Sequence, residues 1–518
     1  METLNYKKLQ NGSDIRGVAL PGVEGENVNL TVEAAKRLTL GFIRWLSEKT
    51  GKAAKDLTIS IGHDPRLSGE DLKYAAISAM LSEEVLALDC GLASTPAMFM
   101  STVFEEYKCD GAIMITASHL PFNRNGFKYF DKDGGLNKKD ITAIIEIAEK
   151  SELPGPAVCL SQECDLMETY ASHLREIIKK GVNAENPAGC MAAVKDNIPT
   201  YERPLAGLKI VVDAGNGAGG FYAENILAPL GADVSGSQFL DPDGSFPNHA
   251  PNPEDKKAMA SISAKVIETG ADFGLIFDTD VDRSAAVDEN GKEIARNGIV
   301  ALAAVLASEG HPGTTVVTDS ITSDQLAVFL EDTLGLKHLR FKRGYKNVIN
   351  KAIELNEAGT DCQLAIETSG HAALKENYFL DDGAYLATKI VIKAALLAKE
   401  GKKISSVIAE LEEPLEAREV RFPILAEEFG DYGKTVIEAF EKAAEAKEGI
   451  EVVKPNYEGV RLTFDKENGD GWCLLRMSLH DPIMPLNLES NIEGGVAIIA
   501  EKVREILAPF DKLDISKL

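Results

Sequence analysis

Four polar clusters carry the side chains of this sequence that can do chemistry. The first is Thr116-Ala117-Ser118-His119, which follows the apolar run GAIMI and leads through Pro121 to Asn125-Gly126-Phe127-Lys128. A serine at a strand end is held by a rigid element while its hydroxyl faces a crevice. It is a weak nucleophile and needs a base or charge stabilisation. Lys128, ten residues on and just past a glycine turn, is placed to fold back toward it. The competing reading is a helix N-cap next to a solvated lysine.

The second cluster, Asp278-Thr279-Asp280-Val281-Asp282-Arg283, follows ADFGLIF. Three carboxylates at period two can converge on one cation, and hard oxygen donors suit Mg²⁺. The spacing also imitates the opening of a calcium loop, with Glu289 at the twelfth position; Arg283, however, stands where that loop needs glycine, and a strand precedes it. A plain acidic turn is the remaining alternative. It is weakened by the mutual repulsion of three carboxylates after a buried strand.

Glu367-Thr368-Ser369-Gly370-His371 offers acceptors, donors and one group that titrates near neutrality, a set suited to sugar hydroxyls and proton transfer, or else a surface turn. In Arg476-Met477-Ser478-Leu479-His480, strand alternation would put Arg476, Ser478 and His480 on one face as a donor-rich phosphate patch; a solvated strand end fits equally. A fifth feature competes with all four. Gly215-Asn216-Gly217-Ala218-Gly219-Gly220 satisfies GxGxxG between LKIVVD and a helical stretch, and Asp233 lies downstream at a distance suited to a ribose contact. A dinucleotide-binding dehydrogenase is the alternative it raises. That reading leaves the serine, aspartate and ETSGH clusters unused, and the glycines also suit a tight strand-to-helix turn.

The elements that must hold these clusters are short β-branched runs ending in polar turns: 57–64, 111–119, 208–217, 273–280 and 314–320. Helical stretches such as 31–50 lie between them. Strands alternating with helices predict an α/β architecture with mixed or mostly parallel sheets, in which ligands bind at the carboxyl ends of strands. Boundaries are expected in the proline-bearing stretch 183–206, near Ala295, and within 401–424, where a Lys/Glu-rich helix gives way to extended chain.

A chain of 518 residues divides into about three to five domains. Its formal charge of −26 argues against nucleic acid or anionic membrane as partners, since both need clustered positive charge. It also requires any phosphate site to gather its Arg and Lys locally. Seven scattered cysteines with no CxxC read as free thiols in a reducing compartment. The N-terminal stretch has no apolar signal core, and no segment approaches the ~18–20 apolar residues of a membrane span. A cytoplasmic protein is the expectation.

Taken in order, the clusters resemble the α-D-phosphohexomutase superfamily of phosphoglucomutases, phosphomannomutases and phosphoglucosamine mutases. Gly12-Ser13-Asp14-Ile15-Arg16-Gly17 looks like its N-terminal signature, and Asp64-Pro65-Arg66-Leu67-Ser68 like its D-x-R-x-S segment. TASHLP (116–121) resembles the phosphoserine loop TASHNP, DTDVDR (278–283) the metal loop DGDGDR, and ETSGH (367–371) the sugar-binding E-x-S-G-H loop. Arg343-Gly344-Tyr345 resembles a glycine-containing specificity turn. The departures are Leu120 for Asn, Thr279 and Val281 for glycines, RMSLHDP where the family has R-x-S-N-T-E-P, and Ile321 about where some members place a lysine.

The resemblance implies four domains around a central cleft, three related α/β units with mixed sheets and a smaller α+β unit. The expected boundaries are 1–190, 191–295, 296–415 and 416–518. It implies interconversion of hexose 1-phosphate and hexose 6-phosphate, of glucose or mannose, through a phosphate carried on Ser118 and a hexose 1,6-bisphosphate that also serves as activator. Mg²⁺ would be held by Ser118, Asp278, Asp280 and Asp282. Lys128 is the expected base and His371 the acid, with Arg16 and Arg283 steadying the phosphoryl group. Glu367, Ser369, Gly344 and Tyr345 would read the sugar, and Arg476, Ser478 and His480 its non-reacting phosphate. The altered phosphate loop admits a second outcome, a hexose-1,6-bisphosphate synthase that takes a bisphosphate donor and lets the intermediate leave. Subunit number is not set by the sequence.

Overall fold

The computed structural model describes residues 5–153, 155, 161–183, 199–478 and 481–518. Each of the five apolar runs contains a strand: Thr58–His63, Gly111–Ile115, Ile210–Asp213, Phe273–Phe277 and Thr315–Thr318. Their middle residues are buried on both faces, as expected where helices cover a sheet. The periodic stretch 31–50 forms the helix Val32–Thr50, started by Thr31, whose hydroxyl accepts the Ala34 N–H. Its Leu38, Phe42 and Leu46 enter the core, where Phe42 stacks on Tyr129 with ring centroids 4.7 Å apart.

The chain divides into two compact units. One runs through Leu306 and adds Ser369–Val407; the other comprises Ala307–Thr368 and Ile408–Leu518.

The first unit contains two mixed sheets. In the larger, Arg124–Asp131 lies between Asp14–Val18 and Gly111–Ile115, and Thr58–His63, Leu86–Leu92 and Gln162–Glu163 continue it outward. Gly111–Ile115 runs parallel to Thr58–His63 and antiparallel to Arg124–Asp131. In the smaller sheet, Phe273–Phe277 is parallel to Ile210–Asp213 and antiparallel to Ser284–Val287. Phe277 pairs with Ser284, so residues 278–283 form the loop of a hairpin. The helix Gly383–Lys399 belongs to this unit and packs on the helix Leu166–Val182.

In the second unit, Lys337–Arg340, Thr315–Thr318 and Cys362–Ile366 run parallel. A separate five-stranded antiparallel sheet has the order Glu416–Pro423, Ile483–Ser490, Gly471–Leu475, Val460–Phe464, Ile450–Val452. The helices Phe429–Ala444 and Gly495–Leu507 pack against it around Val436, Phe440, Ile499 and Val503. Three α/β regions and a smaller α+β region thus succeed one another along the chain. Among the described residues no helix is long and apolar enough to cross a membrane.

Candidate active site

Ser118 lies three residues past the strand Gly111–Ile115, buried, at φ +50°. A left-handed non-glycine residue persists only where its surroundings over-determine it, and the contacts here do so. Asp64 accepts the Thr116 hydroxyl at 2.6 Å, and Thr116 Oγ1 accepts the Ser118 N–H at 2.9 Å. The buried Arg66 guanidinium donates to the carbonyls of Ser118, Leu120 (2.6 Å), Pro121 (2.8 Å) and Arg124 (3.1 Å). The serine hydroxyl is thereby aimed at the aspartate hairpin. Ser118 Oγ donates to Asp278 Oδ2 at 2.9 Å and accepts from Arg283 Nη2 at 3.2 Å.

Asp278, Asp280 and Asp282 are all fully buried, with carboxylate oxygens within 4.8 Å of one another. Lys128 on the strand Arg124–Asp131 pairs with Asp282 and, at 3.2 Å, with Asp280. Thr95 Oγ1 donates to Asp280 Oδ2 at 2.5 Å, and the Thr95 N–H donates to the Asp280 carbonyl at 2.8 Å. Arg283 closes the hairpin onto Asp278 through Nε (3.1 Å) and Nη2 (3.0 Å). Arg16 reaches the site because its strand pairs Arg16 with Gly126; it donates to the Thr116 carbonyl and pairs with Asp14 at 2.9 Å. Position 126 must be glycine, since a Cβ there would lie 2.1 Å from the Ile15 carbonyl oxygen.

Val281 stands at φ +68°. A β-branched residue in that region is a true outlier. The backbone of the hairpin therefore keeps a conformation that glycine adopts freely, although the sequence has valine. The glycine-rich turn is explained by the same hairpin. The Ala218 N–H donates to the Thr279 carbonyl at 2.8 Å, and a Cβ on Gly217 would come within 2.8 Å of that oxygen. Gly217 thus serves close packing against the aspartate loop, while Gly215, Gly219 and Gly220 pack against Pro251, Phe277 and the Leu240 carbonyl.

His371 joins the cluster through an isolated bridge to Arg283, with Nδ1 2.6 Å from Asp381 Oδ2 and 3.8 Å from Asp282 Oδ1. Burial works against its charged form, but Asp381 and Asp282 prevail and raise the imidazole to about 9, so it carries a proton at neutral pH. Burial and the charge of Asp282 push Asp278 well above the carboxylate range. At Asp282 burial is overruled by Lys128, His371 and Arg283, and the carboxyl is held far below that range. Burial and Arg283 hold His119, beside the serine, neutral at about 3.

The donor set fits a hard divalent cation. Among the described residues Asp280 Oδ1 and Asp282 Oδ1 are buried without a hydrogen-bond partner, and such orphaned acceptors are costly unless something positive meets them. Asp282, His371 and Asp381 form a second possible group, but its histidine is already engaged with Asp381.

The remaining expected residues fall in both units. Ser369 belongs with His371 in the first unit, and among the described residues its buried Oγ has no hydrogen-bond partner. Glu367 belongs to the second, where its Oε1 accepts the Gly344 N–H at 2.6 Å. Gly344, at φ +108°, caps the helix Tyr345–Glu357, which Tyr345 begins. Beside it Arg343 approaches Asp319 (3.5 Å), and its N–H donates to Glu458 at 3.2 Å. The strand Gly471–Leu475 ends before Arg476, a residue short of the expected alternation. Ladder bonding nevertheless continues at the two-residue period, from Arg476 N to Pro485 O (3.1 Å) and from Ser478 N to Ile483 O (3.0 Å). Arg476 is 8% exposed, and among the described residues its Nε has no hydrogen-bond partner. Burial and the neighbouring Arg343 charge lower its pKa. His480 lies outside the described residues.

Sequence reasoning gave no role to Arg66, Asp64, Thr95 or Asp381. The first two were visible as a motif, but nothing in DPRLS reveals that the arginine binds carbonyls 52 to 58 residues away. Asp381-Asp382 before a helical run was the available signal for the last.

Three family models, phosphoglucomutase/phosphomannomutase alpha/beta/alpha domains I, II and III, match residues 7–154, 191–291 and 296–415. The phosphoglucomutase/phosphomannomutase of Thermococcus kodakarensis is 32% identical, over 96% of this chain and 97% of its own. The phosphomannomutase/phosphoglucomutase of Pseudomonas aeruginosa is 27% identical over 96% of each. Among solved structures, a phosphoglucomutase/phosphomannomutase family protein from Burkholderia thailandensis superimposes with a TM-score of 0.75 at 24% identity, covering 96% of both chains.

Proposed function

The chain belongs to the phosphoglucomutase/phosphomannomutase family of the α-D-phosphohexomutase superfamily, and on that premise we propose that it interconverts hexose 1-phosphates and hexose 6-phosphates, of glucose or mannose, through a phosphate carried on Ser118. The observation that carries this reading is the Ser118 hydroxyl, 2.9 Å from Asp278 and 3.2 Å from Arg283, at the mouth of three buried aspartates.

Asp278, Asp280, Asp282 and the Ser118 oxygen would hold Mg²⁺, which when bound offsets charge on the phosphoryl oxygens and takes up carboxylate charge otherwise matched by Lys128. Arg283 and Arg16 orient the phosphoryl group on Ser118. The attacking sugar hydroxyl gives its proton to Lys128, which can accept one only as the neutral amine, after its hold on Asp280 and Asp282 is relaxed and its own proton has passed to solvent. His371, protonated through Asp381, supplies the acid. The phosphoryl group passes to the sugar, giving a hexose 1,6-bisphosphate; return of its other phosphate to Ser118 completes the exchange. Glu367, Ser369 and the Gly344-Tyr345 turn are assigned to the sugar hydroxyls, and Arg476 and Ser478 to the phosphate that does not react, so that its binding energy positions the other end.

The test is Ser118→Ala, assayed for conversion of glucose 1-phosphate and of mannose 1-phosphate with glucose 1,6-bisphosphate present. A loss of roughly three orders of magnitude in kcat is expected; undiminished turnover ends the assignment. Product analysis in the same assay distinguishes the bisphosphate synthase, which would accumulate hexose bisphosphate from a bisphosphate donor.

A further inference from the structure

Away from the aspartate cluster, two cysteines 74 residues apart meet at the edge of the largest sheet, with Sγ atoms 3.3 Å apart. Cys90 is on the strand Leu86–Leu92, and Cys164 follows the two-residue edge strand Gln162–Glu163. These strands pair in parallel, Leu88 with Gln162 and Asp89 with Glu163, and the Cys164 N–H donates to the Asp89 carbonyl at 3.0 Å. Cys90 and Cys164 are therefore the next step of the same register. Neighbouring strands lie about 4.8 Å apart, within the ~4.4–6.8 Å Cα separation that a disulfide spans. Cys90 is buried, whereas Cys164 is half-buried and lines a cavity of about 480 Å³ together with Glu106, Tyr107, Glu163, Asp165 and Glu168.

We propose that Cys90 and Cys164 are a reversible thiol–disulfide site, closed by exchange with a small cationic disulfide that enters through this acidic cavity. Cys164 is the attacking thiol, because it is the one that meets the cavity; Cys90, behind it, resolves. The electrostatics agree with that order. The contact between the two sulfurs, with burial, pushes Cys90 up, while the same contact draws Cys164 below an ordinary thiol, and the thiolate is the nucleophile. In the first step Cys164 sulfur attacks one sulfur of R–S–S–R, the S–S bond breaks, and one R–S⁻ leaves and takes up the proton Cys164 gave up. In the second, Cys90 sulfur attacks Cys164 sulfur in the mixed disulfide, and the second R–S⁻ leaves with the Cys90 proton. Two protein thiols are oxidised by two electrons, and one small disulfide is reduced to two thiols. The four carboxylates of the cavity favour a cationic reagent over an anionic one.

The experiment treats the full-length folded protein with cystamine, blocks remaining thiols with a maleimide, and maps the peptides by mass. A peptide pair joined through Cys90 and Cys164, released by dithiothreitol, is the expected result. Linkage of Cys164 to Cys159 or Cys109, or a persistent cystamine adduct in the unaltered protein, overturns the proposal. Cys90→Ser should trap the cystamine adduct on Cys164, while Cys164→Ser should leave Cys90 unmodified; adduct formation at Cys90 in the latter overturns the order of attack. A cooperative thermal melt verifies that each variant is folded. Cystamine should also react faster than oxidised glutathione at low salt, and equal rates overturn the cavity as the route.

Discussion

The serine loop and the segment around Arg476 treat their polar groups differently. Around Ser118 each group is held more than once: Arg66 on four carbonyls, Thr116 between Asp64 and the Ser118 amide, Arg283 on both Asp278 and the serine hydroxyl. Around Arg476 the guanidinium is buried with a nitrogen unpaired and another arginine nearby. On the proposed reading the serine loop is held by contacts within the chain, whereas an anion would complete the surroundings of Arg476. Preorganised charge is where catalytic advantage is gained, whereas uniform grip on a substrate mainly lowers KM.

The largest expected break of this contrast is Asp280→Asn. It should lower kcat by on the order of a thousandfold with little change in thermal stability, since it removes a buried charge but keeps an acceptor for Thr95. Retained turnover with undiminished Mg²⁺ dependence would remove Asp280 from the cation set. Next comes Arg66→Ala, which leaves Asp64 buried without its partner and four carbonyls unmet; a loss of about 3–5 kcal/mol in urea denaturation is expected. A loss below about 1 kcal/mol would show that the serine loop is not tethered there. Arg476→Ala should be smaller and of another kind, with KM for hexose phosphate raised about 10–100-fold from one lost charged hydrogen bond and stability nearly unchanged. If kcat falls as much as KM rises, the two regions are not separable in this way.

The smallest effect is expected of Val281→Gly. Relief of a left-handed valine is worth about 1–3 kcal/mol, and loss of its buried side chain costs about 1.5–3 kcal/mol. The net change should lie within about 1 kcal/mol of zero. A destabilisation beyond about 3 kcal/mol would mean that the valine is not strained.

What the sequence disclosed follows the same divide. The strands that end just before Thr116, Asp278 and Asp319 were legible because apolar, β-branched runs ending in polar turns have few other structures available. Local spacing brought Lys128 toward Ser118 and the three aspartates toward one another, but the meeting of the serine with the aspartates was inferred only from the order of motifs, and that contact spans 160 residues. Val281 concealed the hairpin's turn, because valine argues against the φ it adopts. The GxGxxG run suggested a cofactor, whereas Gly217 answers to the Thr279 carbonyl and Gly215, Gly219 and Gly220 to Pro251, Phe277 and the Leu240 carbonyl. The strand Gly471–Leu475 ends just before Arg476, although its ladder bonds run on to Ser478, and no periodicity in RMSLH announces that end. The Cys90–Cys164 meeting was invisible for the reason that any long-range register is: nothing local encodes it.

Arg66 has a last consequence. It grips the serine loop only by backbone oxygens, and the amide of Ser118 is held by a neighbour's hydroxyl. The tether is therefore indifferent to what the serine oxygen bears. On the proposed reading the loop would be loaded and unloaded many times while its anchor registered neither state, as a bearing does not register the load turning on its shaft.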